Sequence, residues 1–281
     1  MKKIVSIVVV IALLAVGVFA LSACKDKSSV KVIDIRLTDE EYAFGVNKND
    51  PELLAEVNSI LAEILSDGTF DAIAEKYFGS GEPSPVTSAT RDATKDQLIV
   101  VTNAEFAPFE YMIGNSYAGI DMELAKVIAD RMNKELVIVN TEFDSVVTEV
   151  QEGNADIAMA GLTVSPDRAE QVNFSNSYYK ASQVIIVKAD DTTFDSCETA
   201  ADVENVLKGL SNVKAGYQSG TTGDSYINGS DDLGFAGYKN ITGSPYDNAA
   251  MAVEDMLNGN IAFVVVDEAP AKAIADSFNA K

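Results

Sequence analysis

Two periodicities alternate along this chain. Short apolar runs at residues 98–102, 135–140 and 157–159 read as buried strands, and helical spacing of apolar residues appears at 122–132 and 146–151. The alternation returns later, with runs at 213–217 and 261–266 interleaved with helical patterns at 247–257 and 268–278. Strand and helix alternating twice predict two α/β lobes. Ahead of them, Asp50 reads as a helix cap with Pro51 at the first helical position. Leu54, Val57, Leu61, Ile64 and Leu65 mark the buried face of that helix as far as Gly68. A second short helix carries Phe70, Ile73 and Tyr77 on one side and closes at Gly79. Residues 30–35 are a further strand pattern. Strand patterns at 37–41 and 179–183 are the expected hinge crossings, and ligands of such open sheets sit beyond the strand carboxyl ends, in the cleft between the lobes.

The first residues have a different character. Met1-Lys2-Lys3 precedes an apolar stretch to Leu21 that ends in Leu21-Ser22-Ala23-Cys24, the form of a lipoprotein export leader. The expectation is a cleaved leader at 1–23, a lipid-bearing Cys24 and a tether at 24–29. Several acyl chains on Cys24 would hold the domain at a membrane surface, where one chain binds only marginally.

Composition narrows the chemistry. The formal charge is −22, and removing residues 1–23 takes away two lysines and no acid, leaving −24. Such an acidic chain excludes nucleic acid as an expected partner. With Cys24 lipidated, Cys197 is the only cysteine left, so no internal disulfide is available. The absence of histidine removes the usual proton shuttle near neutral pH and a common metal ligand. Neither a metal, a cofactor nor catalysis is expected.

The run DIAMAGLTVSPDRAEQVNFSNSYY at residues 156–179 holds the sharpest chemistry. Gly161 permits a tight turn, Ser165-Pro166-Asp167 reads as a helix start, and Arg168 follows at once. Free N–H groups and a guanidinium converging there suit a carboxylate, at ~1.5–3 kcal/mol per charged hydrogen bond. Gly220-Thr221-Thr222-Gly223, after the strand at 213–217, reads either as an ordinary turn or as a second helix start aimed at an anion. Asp267 follows an apolar run and precedes a helix, so it reads either as an N-cap or as a group facing the cleft.

The 156–179 run resembles the signature region of the polar amino-acid family of bacterial extracellular solute-binding proteins, the receptors of ABC importers. TNAEFAPFEYMIGNSYAGIDMELAKVIADRM at 102–132, QSGTTGDSY at 218–226 and VVVDEAPAKAIA at 264–275 resemble it too. The resemblance implies a two-lobed, type II periplasmic-binding-protein-like α/β fold. Its parts are in an unusual order, because residues 42–79 resemble the family's C-terminal end and residues 98–102 its beginning. A circular permutation with residues 80–97 as linker accounts for this; the alternative is a relic of tandem duplication, with residues 30–79 loosely attached. Eighteen residues can span up to about 60 Å, enough to join two surface termini. The expected layout is lobe 1 at 42–183, including the linker, and lobe 2 at 184–281 with residues 30–41 supplying a strand and hinge.

Carried over by resemblance, Arg168 and the backbone of Thr163 and Thr222 would bind a ligand carboxylate. Asp267 would bind the α-ammonium, with the Ala160 carbonyl and the Thr163 hydroxyl as further acceptors, and Gly161 and Thr221 complete the candidate site. Phe106 and Phe143 occupy positions where the family flanks the ligand side chain, although each could equally belong to a core. Asn103 and Gln218 match side-chain-reading positions. Relatives that bind basic amino acids include some with an acid at the first of these; here it is the neutral Asn103, with Glu105 nearby. The implied function is a monomeric, extracytoplasmic, membrane-anchored receptor that closes on a polar amino acid, glutamine or a basic one, and delivers it to a permease and its ATPase. The rivals are an enzyme on the same scaffold, such as a cyclohexadienyl dehydratase-like protein, and a sensory ligand-binding domain.

Overall fold

A computed structural model describes residues 29–280. The leader, Cys24 and all but the last residue of the tether lie outside the described residues. Two five-stranded sheets organise the rest. In lobe 2, strand Val30–Ile33 runs antiparallel to Gln183–Lys188, which runs antiparallel to Phe263–Asp267; Val213–Gln218 and Ile241–Tyr246 complete the sheet in parallel. In lobe 1, Gly45–Asn47 lies between Val172–Phe174 and Ile157–Ala158, and Gln97–Thr102 and Glu135–Asn140 continue in parallel. Glu40–Tyr42 and Tyr179–Ala181 pair antiparallel as a separate two-stranded ribbon.

Residues 30–79 are integral to this architecture. Helix Pro51–Ser66 starts where the sequence predicts, with Asp50 Oδ1 accepting the Leu53 N–H at 2.9 Å. It buries Val57, Ile60, Leu61 and Ile64, the i, i+3, i+4, i+7 face, each such side chain contributing about 1.5–3 kcal/mol. Leu65, expected on that face, is 42% exposed because it stands one residue, about 100°, beyond it. Helix Thr69–Phe78 follows and ends at Gly79. Tyr42, Phe44 and Val46 are fully buried in the same core as Leu98, Met122 and Ile157.

The segment at 80–97 is docked against lobe 1. Val86 is buried in the core and exchanges backbone hydrogen bonds with Tyr117 at 2.7 and 2.8 Å. Farther on, Ala89 N–H donates to the Leu136 carbonyl and Ser88 Oγ accepts the Ile138 N–H, both at 2.8 Å, so this stretch covers the outer edge of the sheet. At the other end of the molecule, Asn279 clasps Val30: Oδ1 accepts its N–H at 2.9 Å and Nδ2 donates to its carbonyl at 3.0 Å.

Several elements exceed the sequence-based expectation. The hairpin Glu110–Ile113 with Ser116–Ala118, helix Ala200–Gly209 with its Thr199/Asp202 capping box, and strand Ile241–Tyr246 carry too little periodicity to stand out alone.

Candidate functional site

The lobe 1 wall begins at the turn after strand Ile157–Ala158. Gly161 has φ +52°, and a Cβ there would lie 2.9 Å from the Phe106 ring, so backbone geometry and space both require glycine. Its N–H donates to Asp121 Oδ2 at 2.9 Å, while Tyr178 Oη donates to Asp121 Oδ1 at 2.6 Å. Burial pushes the Asp121 pKa up to about 6. Glu110, fully buried behind it, has no hydrogen-bond partner on either oxygen; burial, then the Asp121 charge, raise its pKa well above the carboxylate range.

Ser165 caps helix Pro166–Gln171 through the Arg168 N–H, as the sequence predicts. The Arg168 guanidinium then turns back. Nη1 donates to the Thr163 carbonyl at 2.8 Å, Nη2 crosses to the Gly220 carbonyl of lobe 2 at 3.0 Å, and the Phe143 ring lies 5.2 Å beneath. Burial lowers the Arg168 pKa, and the charges of Glu40 and Asp267 oppose that shift.

Lobe 2 supplies the opposite wall. Thr221 caps helix Thr222–Asn228, and strand Phe263–Asp267 ends at the cavity. Asp267 occupies the N-cap position of helix Glu268–Asn279 yet makes no capping bond; Oδ1 instead accepts 2.6 Å from Tyr42 Oη. Burial, then the Glu40 charge, push its pKa up to about 7.

These walls meet around one narrow cavity. Arg168, Thr163 and Gly161 line it from one side, Asp267, Thr222 and Thr221 from the other, and Gln218, Phe106 and Phe143 complete it. Two expected residues fall outside. Asn103 is buried and spends its amide on the protein: Nδ2 donates to the Thr141 carbonyl at 2.8 Å and Oδ1 accepts from Gln218 Nε2 at 2.9 Å. The Ala160 side chain packs with Val101, Val146 and Leu162 in the lobe 1 interior. Glu105 instead accepts from Asn248 Nδ2 across the lobes at 2.6 Å.

Sequence reasoning missed Glu40 and Tyr42. Glu40 Oε2 accepts from Thr163 Oγ1 at 2.7 Å and Oε1 from Gln183 Nε2 at 3.0 Å, so a buried carboxylate ties the two-stranded ribbon to the turn at Thr163. The in-out-in burial of Glu40, Glu41 and Tyr42 is the period of a strand, the signal that could have turned both side chains inward. Among the described residues, no cluster of acids, cysteine or histidine could hold a metal ion, and no helix is long and apolar enough to cross a membrane.

Residues 6–80 and 98–273 match the profile of the bacterial extracellular solute-binding proteins, family 3. The arginine-binding extracellular protein ArtP of Bacillus subtilis is 36% identical over 99 residues, 35% of this chain and 39% of that protein. ABC transporter arginine-binding protein 1 of Escherichia coli is 28% identical over 211 residues, 75% of this chain and 71% of that protein. A cyclohexadienyl dehydratase of Pseudomonas aeruginosa is 28% identical across 36% of this chain and 38% of its own. Among solved structures, holo ArgBP from T. maritima superposes with a TM-score of 0.54 at 31% identity, covering 66% of this chain and 74% of that one. With the profile matching most of its length and the two-lobed α/β architecture shared with ArgBP, the chain belongs to family 3 of the bacterial extracellular solute-binding proteins.

Proposed function

We propose that this chain is the amino-acid receptor of an ABC importer, binding its ligand by lobe closure and not catalysing a reaction. One observation carries the reading: Arg168 from lobe 1 and Asp267 from lobe 2 line the same small cavity, a cation for a carboxylate and an acid for an ammonium. Thr163 and Thr222 supply backbone donors beside them, and Phe106 and Phe143 suit the aliphatic part of a side chain. Because the ligand touches both walls only when the lobes meet, its binding energy drives closure.

Charge argues for the side chain. Arg168 faces two buried acids, Glu40 and Asp267, so a neutral zwitterion leaves one negative charge uncompensated, whereas a basic amino acid neutralises it. The arginine-binding relatives agree with that preference, and glutamine stands next.

The remaining parts of the reading are a lipid anchor on Cys24 facing the extracytoplasmic side, a permease with its ATPase as partners, a monomeric state, and lobes divided at 42–183 and 184–281 with residues 30–41 crossing between them. A circularly permuted order is supported by the two blocks of the family match, which flank residues 81–97, and by the place of Gly45–Asn47 inside the lobe 1 sheet, paired on both sides.

Calorimetry of the purified protein, refolded to strip bound ligand, against the twenty amino acids tests the proposal. Binding of arginine, lysine, histidine or glutamine is expected. Binding of none, with turnover of a keto acid, would transfer the protein to the dehydratase class.

A further inference from the structure

Asp267 stands at a position with a competing use. Its backbone, at φ −62° and ψ 146°, is that of an N-cap, where an aspartate ordinarily holds a first-turn N–H and contributes about 1 kcal/mol. That bond is not made. The carboxylate is held instead by Tyr42 Oη at 2.6 Å.

What fixes Tyr42 is the lobe 1 core. Its ring is fully buried, edge-on to Phe109 at 5.1 Å and tilted against Tyr179 at 5.7 Å. The Asp267 backbone, by contrast, is paired with Gln183 in the lobe 2 sheet. The hydroxyl and the carboxylate therefore come from opposite sides of the cleft.

We propose that Tyr42 is the positioning residue for ammonium recognition: carried by lobe 1, its hydroxyl draws the Asp267 carboxylate of lobe 2 away from the helix cap and into the cleft as the lobes close. The inference rests on reading the cavity as an α-amino-acid site. Tyr42 holds Oδ1, the Gln183 side chain of lobe 2 is the other polar neighbour of the carboxylate, and Asp267 lines the cavity where a ligand cation would sit. When the lobes separate the tyrosine withdraws, and the carboxylate returns to the first turn of helix Glu268–Asn279. The acceptor for the amine is thus complete only in the closed form, which gives closure a differential contact for α-amino ligands that an acid lacking the amine does not obtain.

The test uses purified protein and two probes, L-arginine and 5-guanidinopentanoic acid, which differ only in the α-ammonium. Y42F is expected to weaken L-arginine binding at least about tenfold, as loss of a charged hydrogen bond would, while leaving the des-amino probe within about twofold. In a D267N background the same Y42F change should have no further effect. A second measurement needs no ligand: in a crystal structure of the open, ligand-free protein, Asp267 should accept a first-turn N–H of helix Glu268–Asn279 in place of the Tyr42 hydroxyl. Equal weakening of both probes, an unchanged L-arginine affinity, or an open structure that keeps the Tyr42–Asp267 bond would each overturn the role. Should wild-type protein not bind L-arginine at all, the ligand reading fails by itself, and the open structure still decides whether Tyr42 governs Asp267.

Discussion

Gln218 donates to Asn103 across the cleft, Nε2 to Oδ1 at 2.9 Å, joining the end of a lobe 2 strand to the loop after a lobe 1 strand. Both side chains are buried. The pair is a clasp between lobes, and its cost on removal falls on closure. Asn103→Ala leaves the Gln218 amide without its partner, about 1–3 kcal/mol. The expected result is a larger radius of gyration in solution scattering and weaker binding of every ligand alike, since Asn103 does not line the cavity.

Arg168 is expected to dominate affinity. Its guanidinium now spans the Thr163 and Gly220 carbonyls, and a ligand carboxylate would compete for the same N–H groups. Arg168→Ala should cost about 2–5 kcal/mol of binding through the unpaired carboxylate left in the cleft. Arg168→Lys should recover only part of it, because an ammonium cannot make the planar two-pronged contact. Titration calorimetry of the three proteins with L-arginine measures both steps.

Stability of the ligand-free protein should fall as pH rises from about 4 to about 7. Burial raises the folded-state pKa of Asp267 to about 7 and of Asp121 to about 6, above the ordinary carboxylate value. The folded state therefore holds more protons than the unfolded chain in that window, and raising the pH removes stability, by several kcal/mol at order of magnitude. Urea unfolding at a series of pH values checks the slope. Asp267→Asn should flatten its upper half, and a basic ligand should offset the loss by supplying the missing charge.

Rearrangement of the chain order is testable directly. Val30 and Asn279 already touch, so a short loop joining them, with the new ends cut between Gly79 and Ser80 so that residues 80–97 stay docked, should fold and bind with unchanged affinity. Failure of that variant to fold, with intact folding of the original, would count against the permuted reading of the chain order.

Much of the frame is legible in local pattern. Asp50-Pro51 and Ser165-Pro166 announce helix starts by chemistry confined to three or four residues, and Gly161 marks its turn because no side chain is tolerated there. The cleft is less legible. Asn103 and Gln218 are 115 residues apart, and only the closed tertiary arrangement reveals that they serve each other. Asp267 has two local readings, a cap or a cleft-facing acid, and a tyrosine 225 residues away decides between them. Leu65 shows the limit of periodicity at the edge of a face, where one residue separates core from solvent.

The docking of residues 80–97 has a mechanical consequence. Its backbone bonds reach Tyr117 and Leu136, and Ser88 bonds to both the N–H and the carbonyl of Ile138 at the sheet edge, all on lobe 1. A seam sewn into a single rigid body carries no load when that body swings. Opening and shutting should therefore flex the ribbon of Glu40–Tyr42 and Tyr179–Ala181 without straining residues 80–97.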